Sequence, residues 1–253
     1  MPEVSIPKKL GHIWIGPYDP PLDWMKTWID KHPYWEYTLY DNNYLENTKF
    51  KTQRQIEEYL NRGEYSGVAD LMRYEILYEK GGFIANTDSI CYHCTDELFD
   101  KPCAYTVYEN EFLKGQLVSP IMACEPGNEF VGNIIETLSK VEPSDLDRPW
   151  KSTGNLFMAR MIRDQKPEII IFPSHYFIPV HFEGEFYTGE EKVYAKELFG
   201  STRNSYGDNN IRSFFTKIKQ SWLRKSRARR LKKLQKNNIN VFDKDYSSKE
   251  SQI

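Results

Sequence analysis

The chain has 253 residues, 40% of them hydrophobic and 15% aromatic, which is enough apolar material for one large folded domain and excludes wholesale disorder. Its formal net charge of −2 hides an asymmetry: residues 211–236 hold eleven of the 34 Lys and Arg and no Asp or Glu, leaving 23 basic against 36 acidic residues elsewhere. No run approaches the roughly 18 apolar residues of a membrane-spanning helix. The N-terminal MPEVSIPKKLGHIWIG lacks the charged-then-apolar pattern of a secretory signal, so a cytoplasmic location is expected.

In chain order, LGHIWIG reads as a buried strand closed by the turn-rich GPYDPP. Leu22, Met25, Trp28 and Ile29 form a helical stripe over 21–32, and WEYTLYD at 35–41 reads as a second strand. A helix is predicted over 52–61. A second, with Ser66 as its N-cap, is predicted over Val68 to Lys80 and ends at Gly81. FIA at 83–85 is a third buried strand. Strands alternating with helices predict an α/β fold with a mainly parallel sheet.

Further along, YTVY and the segment around Pro120 to Met122 predict strands. NEFVGNIIETLSKV predicts a helix, and IIIF a late strand. Cys91 and Cys94 have the spacing of half a zinc site but no second half, and they read as reduced cysteines in or beside a strand. His12 reads as a core histidine. His175 and His181 suit packing or an acceptor surface equally. No G-x-S-x-G, P-loop or H-E-x-x-H is present, so hydrolase, NTPase and zincin readings have no support.

The segment 66–89, SGVADLMRYEILYEKGGFIANTDS, carries the chemistry. Asp70 and Arg73 are three apart and share a helix face. Asn86 and Asp88 point the same way at the end of a buried strand, where α/β sheets bind ligands. A carboxylate there with a neighbouring oxygen ligand suits Mg²⁺ or Mn²⁺ bridging a diphosphate.

IPKKLGHIWIG, HPYWEYTLYD and GVADLMRYEILYEKGGFIANTDS together resemble glycosyltransferase family 32, the DXD-containing sugar transferases. They are more distantly similar to the glucosylating domains of large clostridial toxins. The resemblance covers about residues 5–100 well and becomes patchy to 206. It implies a GT-A fold, a nucleotide-sugar donor with UDP preferred, Mn²⁺ or Mg²⁺ as cofactor, and retention of anomeric configuration. By position, Ile13 and Trp14 would meet the donor base, and Asp70 and Arg73 the donor sugar and phosphate. Asp70 and Arg73 would also be catalytic, and Asn86, Thr87 and Asp88 would bind donor, with Asp88 and the Asn86 carbonyl on the metal.

This chain departs from the family pattern at several places. Asn86 replaces the first motif aspartate, and Ile84 stands where an aromatic is usual. In VYAKELFGSTR, Glu197 takes the position of a metal-ligating His, Phe199 that of a Trp, and Ser201 completes the donor contacts. An alternative register uses Ser221 and Trp222 instead, and an ordinary surface loop stays open as a third reading. In STGN at 152–155, Asn155 replaces a proline. It either presents an amide to the reacting face, as a catalytic residue, or caps the following helix.

The predicted layout is a GT-A domain over 1–210, a basic amphipathic helix over 211–236 and a polar tail from 237. The basic helix either packs on the body or lies on an anionic membrane surface, placing the protein on the inner face of a membrane. Nucleic acid is the disfavoured third partner. The expected activity is transfer to a glycan or lipid-linked glycan acceptor. The rival readings are a catalytically weak binder of nucleotide sugars with the same fold, and a nucleic-acid-binding protein.

Overall fold

Strand β1 (Lys9–Ile13) alternates its side chains across the sheet, as its short apolar sequence dictates. In the computed structural model, which describes residues 6–110, 117–181 and 186–200, β1 lies second, between the edge strand β2 and β3, in a six-stranded sheet ordered β2-β1-β3-β6-β5-β7. The remaining strands of this sheet are β2 (Glu36–Tyr40), β3 (Gly82–Ile84), β5 (Ala104–Val107), β6 (Ala123–Cys124) and β7 (Ile169–Phe172). β6 runs antiparallel to both neighbours and the others run parallel, so the sheet is mainly parallel. The C-terminal ends of β1, β3 and β5 therefore share one edge.

A separate ribbon pairs β4 (Ser89–Cys91) antiparallel with β8 (Ala195–Glu197). The helices are α1 (Leu22–Lys31), α2 (Asn42–Asn47), α3 (Gln53–Arg62), α4 (Tyr65–Lys80), α5 (Glu129–Ser139), α6 (Pro149–Ser152) and α7 (Asn155–Gln165).

Two cores flank the sheet, and period-2 alternation sorts residues between them. Ile84, Ala104, Ile169 and Ile171 face Leu71, Met72, Ile76 and Ile134 of α4 and α5. Phe83, Tyr105 and Phe172 face Trp28, Phe99 and Phe177 on the other side, where rings meet mostly edge to face or tilted. His12 is fully buried on this aromatic side, with Nδ1 3.2 Å from the Tyr37 hydroxyl. Burial pushes it down to about 3, so it is a neutral core histidine.

Three local expectations change. Helix α4 begins at Tyr65, and Ser66 lies inside it without capping it. In α1 only Met25 and Trp28 are buried, whereas Leu22 and Ile29 face solvent. Asn155 is the first residue of α7 and Gly154 takes the N-cap position, so Asn155 does not cap the helix.

Between α4 and β3 the chain reverses through Gly81 (φ 61°) and Gly82 (φ 97°). A Cβ on Gly82 would lie 2.6 Å from the Lys9 carbonyl oxygen, so glycine lets β3 pair closely with β1.

No helix among the described residues is long and apolar enough to cross a membrane. Ser201, the alternative pair Ser221 and Trp222, the basic segment 211–236 and the tail lie outside the described residues.

Candidate active site

Helix α4 buries Val68, Leu71, Met72, Tyr74, Ile76 and Leu77 around most of its circumference, and Asp70 and Arg73, three apart, lie half-buried along one edge of it. That edge runs beside the C-terminal end of β3. Arg73 Nη1 donates to the Ile84 carbonyl at 2.7 Å, and Nη2 donates to Asn86 Oδ1 at 3.1 Å. The planar fork thereby joins the strand end to the turn that follows it. Among the described residues the buried Arg73 Nε has no hydrogen-bond partner. Burial draws Arg73 down from its ordinary value, and the charge of Asp70, with smaller contributions from Glu197 and Asp88, opposes that.

The turn Asn86-Thr87-Asp88 is fixed from below and from the side. Ser89 Oγ donates to the Asn86 carbonyl at 2.6 Å, and Trp28 Nε1 donates to Ser89 Oγ at 3.0 Å from the aromatic core. The chain then returns from far away in sequence. In the β4–β8 ribbon Glu197 stands opposite Ser89. Leu198 N–H donates to the Asp88 carbonyl at 2.7 Å, and Gly200 N–H donates to Asp88 Oδ2 at 2.8 Å. The Asn86 amide nitrogen donates to Glu197 Oε2 at 3.0 Å.

The structure thus gathers Asp70, Arg73, Asn86, Asp88 and Glu197 at one sheet edge. Thr87 is half-buried in the turn. Trp14 follows β1 on the same edge, half-buried, with its N–H bonded to Tyr40 O at 2.9 Å and its Nε1 to Tyr18 O at 2.7 Å. Ile13 sends its side chain into the core and is only 6% exposed.

One carboxylate missed in the sequence matters here. Glu109 follows β5 and accepts a hydrogen bond from the Asn155 amide nitrogen. Its sequence setting, VYENEF, carries no motif, and its partner lies 46 residues away. The other surprise is how Asp70 is held. Thr153 Oγ1 donates to Asp70 Oδ2 at 3.0 Å, and a Cβ on Gly154 would come within 3.0 Å of the same oxygen. Tyr74 Oη donates to the Thr153 carbonyl at 2.6 Å and locks that loop onto α4. The sequence offered only Asn155 of STGN as a site residue; the grip of this loop on Asp70 through Thr153 is a long-range contact.

Acid chemistry dominates the cleft. Burial pushes Asp70 up to about 7 against the opposing pull of Arg73 and the Thr153 hydroxyl. Burial also pushes Glu109 up to about 7 against its bond from Asn155. Glu197 is raised well above its ordinary value, first by burial and then by the charge of Asp88 within hydrogen-bonding reach. Four acids around one guanidinium make a cleft that favours cations.

Among the described residues no three His, Cys, Asp or Glu side chains are placed to hold a metal on their own. Asp88 and Glu197 with the Asn86 amide form an oxygen-donor set that fits a hard divalent ion completing its shell with phosphate and water. The crowding of Glu197 against Asp88 is the observation behind that fit.

Residues 22–105 match the family model described as the glycosyltransferase sugar-binding region containing the DXD motif. Asp70, Arg73 and Asn86–Asp88 lie inside that span, whereas Trp14, Glu109, Asn155 and Glu197 lie outside it. Among solved structures the chain is similar to the PaToxG glycosyltransferase, with 14% identity and a TM-score of 0.50 over 65% of this chain and 71% of that one. The likeness is one of fold, a GT-A-type α/β arrangement. No curated protein sequence matches the chain.

Proposed function

Because residues 22–105 carry the sugar-binding region of DXD glycosyltransferases, we propose that the chain is a family 32 enzyme that transfers a hexose from a nucleotide sugar to a glycan hydroxyl. UDP is the preferred nucleotide, and retention of anomeric configuration follows from the resemblance to family 32. The observation that carries the reading is the Arg73–Asn86–Glu197 relay beside Asp88. It supports the reading because one fixed cation and a pair of candidate oxygen ligands stand together at the strand ends, where α/β sheets bind ligands.

Each residue has a physical task. Trp14 stacks on the base at the end of β1. Arg73, anchored by the Ile84 carbonyl, turns its guanidinium toward the diphosphate and neutralises charge that grows as the glycosidic bond breaks. Asp88 and Glu197, with Asn86 between Glu197 and Arg73, would hold Mn²⁺ or Mg²⁺, and Ser201 would add a donor contact. The bound ion supplies charge neutralisation for the leaving diphosphate. Asp70, oriented by Thr153, accepts a hydrogen bond from a sugar hydroxyl. Asn155 lines the reacting face with its amide oxygen, because its nitrogen is given to Glu109.

The acceptor is a glycan or lipid-linked glycan, and the basic segment 211–236 holds the protein against an anionic membrane surface on the cytoplasmic side. The decisive experiment pairs thermal stabilisation by a nucleotide-sugar panel with Mn²⁺-dependent donor hydrolysis or transfer. Binding and turnover that both require Mn²⁺ and vanish in Asp88→Ala support the reading; unchanged turnover in that variant removes the site. Donor binding without turnover in the wild type would favour the catalytically weak binder.

A further inference from the structure

Glu109 has no role in the proposed chemistry so far, yet it occupies a telling place. Going along the shared strand edge from β1 through β3 to β5, the groups met are Trp14, then Asn86 and Asp88, then Glu109. With β6 between β3 and β5, that path crosses three strand spacings, about 14 Å. A nucleotide sugar laid along it with base at Trp14 and diphosphate at Asp88 sets its sugar at Glu109.

The chemistry of Glu109 suits that station. Its hydrogen-bond partners among the described residues are neutral, the Asn155 amide and the Ser119 side chain. A carboxylate offers about four acceptor positions, so two remain for a ligand. A glutamine would hold Asn155 equally well. A third acid close to Asp88 and Glu197 costs electrostatic energy that a purely structural bond does not require. Asn155 also ties Glu109 to the loop that grips Asp70, since Thr153 and Asn155 flank Gly154.

We infer that Glu109 is a substrate-binding residue that accepts a hydrogen bond from a hydroxyl of the donor sugar, aimed by Asn155 and facing Asp70 across the sugar subsite. The inference rests on the transferase reading and narrows its substrate class. A subsite flanked by Asp70 and Glu109 suits a neutral, hydroxyl-bearing hexose, whose hydroxyls donate to both, and disfavours a uronate, whose carboxylate would set acceptor oxygens against acceptor oxygens.

The test uses the full-length protein with Mn²⁺ and calorimetric titration. First, UDP- and GDP-linked glucose, galactose, mannose and N-acetylglucosamine are screened on the wild type. The best donor, its parent nucleoside diphosphate and UDP-glucuronate are then titrated into wild type, Glu109→Ala, Glu109→Gln and Asn155→Ala. Glu109→Ala should bind the donor about tenfold or more weakly while binding the bare diphosphate like wild type. Glu109→Gln should recover part of the loss and narrow the gap between the neutral donor and UDP-glucuronate. Equal losses for donor and diphosphate would show a merely structural role and overturn the inference, as would no loss at all. If Glu109→Ala fails to fold, the Glu109→Gln and Asn155→Ala ratios decide by the same criterion. A wild type that binds none of the nucleotides overturns the transferase reading itself, an outcome distinct from the Glu109 variants matching a wild type that binds.

Discussion

The Asn86 amide nitrogen donates to Glu197 Oε2 across 3.0 Å, joining two residues 111 positions apart in the chain. Its oxygen takes a hydrogen bond from Arg73 Nη2 on the other side. An amide is the side chain that can do both, accepting from a cation and donating to a carboxylate. An aspartate at this position could accept from Arg73 but would repel Glu197. The departure from an Asp-x-Asp pattern is thus matched by a glutamate in the returning strand β8.

Asn86→Asp should therefore lose stability when metal is absent and regain it when Mn²⁺ is present. Replacing a donated hydrogen bond by a like-charge contact in a half-buried cleft costs about 1–2 kcal/mol. For a chain of this size that lowers the melting temperature by about 2–6 °C. Melting curves with EDTA and with Mn²⁺ read both arms. A variant as stable as wild type in EDTA would show that Asn86 and Glu197 are not coupled as described.

Arg73→Lys tests the fork. A lysine ammonium is a compact point charge and cannot serve the Ile84 carbonyl and the Asn86 amide in the same planar geometry. The charge survives while its aim is lost, so turnover should fall about a hundredfold with donor affinity reduced far less. Steady-state hydrolysis of the best donor separates the two effects. A lysine variant with wild-type turnover would mean that net charge alone is what the site uses.

Much of this was legible in the sequence because it is local. The short apolar run of β1, the helix over Val68 to Lys80 and the spacing of Asp70, Arg73, Asn86 and Asp88 depend on residues close together in the chain. The Gly81–Gly82 reversal likewise announces the end of α4. What escaped is non-local. Ser66 looked like an N-cap from its residue type alone, while Glu64 takes that position two residues earlier. Glu109 has no neighbouring motif, and its partner sits on α7. Glu197 could be placed by resemblance in one of two registers, and only the pairing of β8 with β4 brings it to Asn86.

Asp70 makes stability depend on pH in a direction opposite to that of most carboxylates. In the folded protein burial raises it to about 7, whereas in the unfolded chain it ionises near 4. Between those values the folded state binds more protons, so this stabilisation is full below about pH 4 and is lost as pH rises to about 7. Asp96 and Glu136, each held at about 2 by lysine-centred hydrogen bonds, act the other way and matter only in acid. Asp70→Asn keeps an acceptor for the Thr153 hydroxyl but cannot titrate. In metal-free denaturant titrations, the drop in stability from pH 5 to pH 8 should shrink by about 1–2 kcal/mol in the variant. Parallel pH profiles for both proteins would refute the assignment.

The basic segment 211–236 offers the last test, and it turns on charge alone. Each Lys or Arg near an anionic lipid surface contributes about 1 kcal/mol, and the attraction decays within a Debye length. With eleven such residues against an otherwise acidic chain, the segment is the one stretch whose charge could oppose repulsion of the body by the same surface. Replacing Arg229, Arg230, Lys232 and Lys233 together by alanine should weaken binding to phosphatidylserine vesicles at least about tenfold at low salt. Donor affinity and Mn²⁺-dependent hydrolysis should stay at wild-type levels, because the proposed chemistry gives none of the four a task. Sedimentation with vesicles over a salt series measures the first quantity and calorimetry the second. Wild-type protein that ignores vesicles yet binds RNA or DNA with a steep salt dependence would reassign the segment to nucleic acid. Binding to neither would leave it as a helix packed on the body, and the four-alanine protein would then differ from wild type in stability rather than in location.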